Sequence, residues 1–409
     1  MADSVLDAEI RRDVQRQRFG TGIVRNEIRP TAQKLSRSLV RIMSDFDTDD
    51  MTNTDLKKLT AEIRSEFKGD WSAMWEDITE ELTDMAVLAG EDTAAVYNDL
   101  TPDKMAAPTA KSIETGVRTA EMTLTTQTPQ TGVWSQFTAT NIDSTSKAVV
   151  GVIRDGFNNN LPLSEITQQL RGKFNRQTKQ YVGGVLNGVS RSRAEALART
   201  GISHHANVAR DKFAETNKDI IEARILFATL DNVTTTICFR RHLNVYKTGE
   251  RFPPLPFHYN ERSQYVFKTA NFDPLDTDRP AVGGQEGDEA EEEFNKRKSR
   301  QDNLRANRAE KRADGETTPE TKSKVTFRGR KDTDIFDVEQ ISAKKTSDAW
   351  LRDQPKWFVE SSLGKSRAKL FIDGDLHIDK FTDMTGRQLT LDELKQTSAG
   401  SAAFAKVDK

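Results

Sequence analysis

The chain has a single cysteine, Cys238, in 409 residues. That excludes an internal disulfide framework and any cysteine-rich zinc module, and it fits a protein made in a reducing compartment. Long apolar runs are missing as well: no window approaches the ~18 consecutive apolar residues of a membrane span. The opening MADSVLDAEIRRDVQRQRFG mixes acids with arginines and has no apolar centre, so no secretory signal is expected. A formal net charge of −2 supplies no bulk attraction for nucleic acid or membrane, and any such role needs a local patch. Glycine-rich phosphate loops are absent, because Gly183-Gly184 stands without a lysine or a preceding strand. His204 and His205 are adjacent, so they point apart instead of forming an i, i+4 metal pair.

What is present is a polar chain, 35% hydrophobic and 30% charged, long enough for two or three domains with some extended length. Helical spacing dominates the first hundred residues. Leu35, Leu39, Ile42 and Met43 follow Pro30 at a helix start, and Leu56, Leu59, Ile63 and Phe67 follow capping candidates near Thr52. A further stripe runs Trp71, Trp75, Ile78, Leu82, Met85, Ala89. It must bury against sister helices or dock on another protein, so Trp71 and Trp75 are candidate partner-docking residues. Residues 101–145, rich in Thr, Ser, Gln and Pro, read as a polar surface connection.

Residues 146–273 read as a small α/β middle domain. Val149, Val152, Ile153 and Phe157 predict a helix, and Ser164 heads a short one after the turn at 158–162. A longer helix over 190–213 places Ala194, Leu197, Ala198, Ile202, His205, Val208 and Phe213 on one face. IIEARILFATL is of strand length and strand composition, and PPLPFHYN is a proline-braced loop. Residues 274–330 lose hydrophobicity and pass from an acidic to a basic block, which predicts a disordered linker or a solvated helix. Basic residues 296–312 could touch phosphates, but the acids at 286–293 blunt that attraction. A small C-terminal unit, 331–409, carries Trp350, Trp357 and turns at Leu363-Gly364 and Asp373-Gly374.

The chemistry candidates centre on FATLDNVTTTICFRRH. Cys238, His242 and His258 offer three scattered ligands with no second pair, short of a four-ligand structural zinc. A catalytic cysteine lacks a framing elbow or glycine-rich turn. The reading preferred is a structural corner: Asp231 anchors a turn through backbone amides, and Cys238 packs beneath it. No catalytic residue, cofactor or metal is expected.

Three stretches resemble the Mu F-type head-morphogenesis family, the minor capsid proteins of tailed phages. RAEALARTGISHHANVARDKF is similar to its helix with an Ala-Arg-Thr step, here ending at Arg199 and Thr200. Members usually continue with an acid where this chain has Gly201. FATLDNVTTTIC with FPPLPFHYNERS resembles its signature at Asp231, Thr235, Cys238, His258, Asn260 and Arg262. Many members carry a second cysteine where this chain has Glu261, which argues further against zinc. RPAVGG at 279–284 with WLRDQP and LGKSRAKLF is similar to the family's closing pattern at Trp350, Gln354, Pro355, Leu363 and Gly364. The order of these motifs is more telling than any one, and they cover about half of the chain.

The expected fold is mainly α: an N-terminal helical docking region over 1–100, a small α+β domain, a charged linker and a small C-terminal unit. The resemblance implies a virion component inside the capsid or at the portal vertex. It would act by binding portal protein and major capsid protein, with weak electrostatic contact to packaged double-stranded DNA, in head morphogenesis and genome ejection. The alternatives are a nucleic-acid-binding protein, or a toxin-like or hydrolase enzyme fused to such a module.

Overall fold

Apolar residues at steps of three and four make the first half of the chain helical. A computed structural model describes residues 4–46, 52–125, 129–159, 161–176, 180–313 and 335–407. Helix α1 (Val5–Ile23) is capped by the Ser4 hydroxyl, which accepts from the Asp7 amide at 3.2 Å. It passes through a π-helical turn into α2 (Arg29–Ser44), with Pro30 in the first turn. Thr52 and Asp55 form a capping box at the head of α3 (Asn53–Leu100). The sequence suggests two helices here. They are one helix of 48 residues, about 70 Å long, because the apolar stripe continues across Gly69 without a break.

That stripe settles the place of the two tryptophans. Trp71 and Trp75 are buried in the helical core, and both indole N–H groups donate to Asn141 Oδ1, at 3.0 and 3.2 Å. The expectation that they form a docking surface is therefore corrected. Residues 101–145 also depart from the polar connection expected. They hold α4 (Ala110–Thr119), a hairpin of β1 (Glu121–Leu124) and β2 (Gln130–Val133), and the start of α5 (Trp134–Asn158). Ile113, Met122, Leu124, Trp134 and Phe137 are buried, while the threonines and glutamines that dominate the composition lie largely outward.

Next come α6 (Leu163–Arg171), capped by Pro162 and not by Ser164, and the small antiparallel pair β3 (Lys173–Asn175) and β4 (Gln180–Val182). Helix α7 (Arg191–Thr216) buries every residue expected on its inner face. It packs closely along α3: a Cβ on Gly201 would lie 2.6 Å from the Trp134 ring and 2.8 Å from Leu82. An acid at Gly201 has no room.

Three strands follow in the order β6-β5-β7, all antiparallel: β5 (Ile221–Phe227), β6 (Val245–Lys247) and β7 (Gln264–Thr269). A short helix, α8 (Thr236–Arg241), lies between β5 and β6. The N-terminal helices are fused to this sheet. Tyr97, near the end of α3, donates its hydroxyl to the Phe267 carbonyl at 3.1 Å and accepts from the Phe267 amide at 2.7 Å. Val5 and Leu6 share a core with Phe213, Ile225 and Val266. On α7, Arg210 pairs with Glu9 at 2.8 Å, both side chains 2% exposed. The N-terminal hundred residues thus form no separate unit, because their apolar faces are the cover of α7 and the sheet.

Beyond the sheet, β8 (Asp278–Gly284) pairs antiparallel with β9 (Phe336–Ser342). Helix α9 (Asp288–Ala313) lies where a disordered linker or a solvated helix is expected, and of the two it is the helix that the described residues form. Its start is anchored by Ala290 and by Phe294, whose ring sits 5.2 Å from that of Trp357. Residues 314–330 of the expected linker lie outside the described residues. The C-terminal unit contains α10 (Ser347–Arg352), α11 (Lys356–Leu363), α12 (Lys365–Ile372), α13 (Leu391–Gln396) and α14 (Ser398–Val407). No helix among the described residues is long and apolar enough to cross a membrane.

Candidate functional site

The chain turns sharply where β5 ends, and the side chains of Asp231, Thr234 and Arg262 hold the turn. Asp231 Oδ1 accepts from the Val233 amide at 3.0 Å and from the Thr234 hydroxyl at 2.9 Å. Arg262, arriving just before β7, closes a fork on both Asp231 oxygens at 2.5 and 2.9 Å. Burial alone would raise the Asp231 carboxyl. The Arg262 guanidinium, the Thr234 hydroxyl and the Val233 amide overcome it and hold the carboxyl below its usual range.

Cys238 lies one turn into α8, buried, and its thiol faces the 257–262 loop. His258 Nε2 is 3.1 Å from Sγ, and Glu261 Oε1 is 3.3 Å from it. The Thr235 hydroxyl is 2.9 Å from His258 Nε2 and 3.2 Å from Sγ. Burial, and then the neighbouring Glu261 charge, push the thiol well above its usual range. Asn260 takes a positive φ of 61°, which lets its amide turn back and donate to the Thr200 hydroxyl of α7 at 3.0 Å. A cavity of about 20 Å³, one water in size, opens among Thr235, Cys238, His258, Asn260, Arg262 and Ser263.

Most of the residues singled out in the sequence are thus brought together: Thr200, Asp231, Thr235, Cys238, His258, Asn260 and Arg262. Arg199 is not among them, since it leaves α7 toward Glu195, 3.6 Å away. The second group gathers in the C-terminal unit. Trp350 is fully buried, and Gln354 Oε1 accepts from the Gly284 amide of β8 at 2.9 Å. Pro355 caps α11, Leu363 is buried at its end, and Gly364 makes the turn to α12 with φ 81°. The two groups meet across α8: the Phe239 ring lies 6.1 Å from Trp350, and Ser347 donates to the Phe239 carbonyl at 2.6 Å.

His242 does not join Cys238. Its Nδ1 accepts from the Ala228 amide at 3.3 Å, and its ring is packed on Phe227. The residue missed is Glu261, which takes the place that the sequence reading gave to His242. His258 and Glu261 stand three apart in a proline-braced loop, and that spacing was the only available signal.

Two larger cavities open elsewhere among the described residues. One, of about 720 Å³ beside α3, α4 and α5, has Glu76, Glu80, Asp84 and Glu114 on its rim, all exposed and none converging on a point. The other, of about 290 Å³, separates α1 from the sheet and is lined by Asp13, Gln264, Arg262 and Arg279. Arg279 is buried without an ion pair among the described residues, and burial lowers it to about 9. Neither cavity holds a nucleophile with an adjacent base. No protein-family model, curated protein or solved structure matches the chain.

Proposed function

We propose that this chain is a minor structural protein of a tailed-phage head, of the Mu F head-morphogenesis type, acting by binding and without turnover. One observation carries the reading. Motif residues separated by as many as 62 positions, from Thr200 to Arg262, meet at one corner through specific hydrogen bonds. The closing motif is joined to it through α8, and RPAVGG meets WLRDQP at the Gly284–Gln354 bond. Such convergence is what a shared architecture requires of residues recognised only by their order.

In this reading the protein sits inside the head or at the portal vertex and contacts portal and major capsid protein. The docking surface has to lie outside the Trp71–Trp75 stripe, which is buried. Helix α9 carries the contact with packaged DNA, through its basic run from Lys296, and that contact weakens with salt. The test is to probe purified DNA-filled heads with an antibody against the chain. A low-copy component that external protease does not reach until the heads are opened is the expected result. Absence from particles, with the whole pool left free in the lysate, would overturn the proposal.

A further inference from the structure

We infer that Cys238, His258 and Glu261 form a binding site for one divalent transition-metal ion of the zinc type, which ties α8 to the 257–262 loop. This does not rest on the head-assembly reading, and it reverses the sequence-based expectation of no metal. That expectation weighed Cys238 with His242, and the fold replaces His242 by a carboxylate.

Four observations support the site. The three ligand atoms lie within 4.8 Å of one another, with Sγ–Nε2 at 3.1 Å and Sγ–Oε1 at 3.3 Å. Ligands around a tetrahedral zinc stand about 3.5 Å apart, given Zn–S near 2.3 Å and Zn–N or Zn–O near 2.0–2.2 Å. A shift of a few tenths of an ångström would admit the ion. Second, His258 is already set in the ligating tautomer. Its Nδ1 is 2.9 Å from the Tyr259 carbonyl, which can only accept, so Nδ1 carries the proton and the Nε2 lone pair faces Cys238.

Third, Glu261 is wholly buried with no cationic partner among the described residues. Its neighbour Arg262 is taken by Asp231, and Glu261 Oε2 accepts only the Phe257 amide. A buried carboxylate without a counter-charge is costly. A thiolate and a carboxylate around a doubly charged cation leave the site neutral. Fourth, the remaining vertex faces the Thr235 hydroxyl and the one-water cavity, so a water can complete four-coordination. A mixed sulfur, nitrogen and oxygen set selects zinc-like ions over magnesium or calcium.

Binding forms metal–sulfur, metal–nitrogen and metal–oxygen bonds and releases the Cys238 thiol proton to bulk water. Nothing is oxidised or reduced.

The experiment uses the full chain, stripped with chelator and titrated with Zn²⁺ alone by calorimetry and with Co²⁺ alone by absorption. One equivalent of each is expected, with release of a proton and a thiolate-to-cobalt charge-transfer band. Removing a second-shell partner typically weakens metal sites 10–100-fold, so losing a ligand in Cys238→Ser, His258→Ala or Glu261→Gln should weaken binding by about that much or more. His377→Ala, at an exposed histidine of the C-terminal unit, should leave the titration unchanged. If the variants fail to fold, the wild-type cobalt spectrum still decides the question. Substoichiometric binding, cobalt bound without a sulfur band, or an unchanged titration in Cys238→Ser would each overturn the inference.

Discussion

The two ends of the chain look alike in sequence, each a run of amphipathic helices beside a polar stretch, but they are attached in opposite ways. The N-terminal helices reach the sheet through a buried ion pair, a doubly bonded tyrosine and a shared apolar core. The C-terminal unit builds most of its core from its own residues, Trp350, Phe358, Phe371, Ile378 and Phe381 among them. Among the described residues it borrows Leu230, Phe239, Ala281, Ala290 and Phe294 from the preceding chain. Amphipathic spacing tells that a helix has a face to bury, and nothing in it says whose face will cover it.

The largest effect should come from cutting at the two ends. Removing residues 1–100 strips α7 and the sheet of their cover, exposing Phe213, Ile202 and Leu197 to water. The remainder is expected to be insoluble or to lack a cooperative transition. Removing residues 335–407 exposes chiefly β8, Leu230 and Phe239, and should leave a product that still unfolds cooperatively at a lower temperature. Calorimetry and gel filtration of the two truncations check this. A cooperatively folded product of the first cut would restore a detachable N-terminal unit.

A smaller break uses the Glu9–Arg210 pair. Arg210 Nη2 also donates to Gln264 Oε1 at 2.6 Å, so one guanidinium joins α1, α7 and β7. Burial would raise the Glu9 carboxyl, but Arg210 and Arg16 hold it below its usual range. Arg210→Ala leaves a buried carboxylate uncompensated and should cost about 3–5 kcal/mol in urea denaturation. Lys406→Ala, on an exposed pair with Asp375 at 3.7 Å in the C-terminal unit, should cost about 1 kcal/mol or less. Equal costs would erase the contrast between the two attachments.

Local features were legible in the sequence, and the joins between them were not. The inner face of α7, strand β5, the Asp231 turn and the Gly364 turn all follow from residue spacing and turn chemistry over a few positions. Asn141 carries no signal that it will accept from two indoles some seventy residues away. Glu9, one of several acids in an arginine-rich helix, has nothing to mark it for burial. In residues 101–145 composition misled, because outward threonines and glutamines set the polar average while scattered apolar anchors such as Ile113, Met122 and Trp134 hold the elements in place. In α9 two apolar anchors, Ala290 and Phe294, fix a helix start in a segment whose low hydropathy left disorder and a solvated helix both open. At the corner the sequence supplied seven of the residues, but pairing them by nearness chose His242 over Glu261.

The smallest effect is set by the histidines on the shared wall. Burial lowers His204 to about 4, and burial followed by the His204 charge lowers His205 to about 3. His242 is held well below its usual range by burial and then by Arg279. All three stay neutral when folded and take up protons near pH 6.5 when unfolded. Stability is therefore full above pH 6.5 and is lost as pH falls toward 4. Between pH 7.5 and 5.5 each contributes a loss of about 1.4 kcal/mol. Asp211 opposes them: burial raises it to about 6, so it takes up a proton first in the folded protein and returns less than about 1 kcal/mol over the same window. The net loss should be about 3 kcal/mol. His205→Asn, which keeps a donor for the Gly201 carbonyl, should remove about 1.4 kcal/mol, nearly half of that net loss. The C-terminal unit has only the exposed His377, so its amides should keep their hydrogen-exchange protection at pH 5.5 while those of α7 lose theirs. Stability that is flat or rising from pH 7.5 to 5.5 would show that the wall is hydrated, and that the N-terminal helices cover it less tightly than their packing indicates.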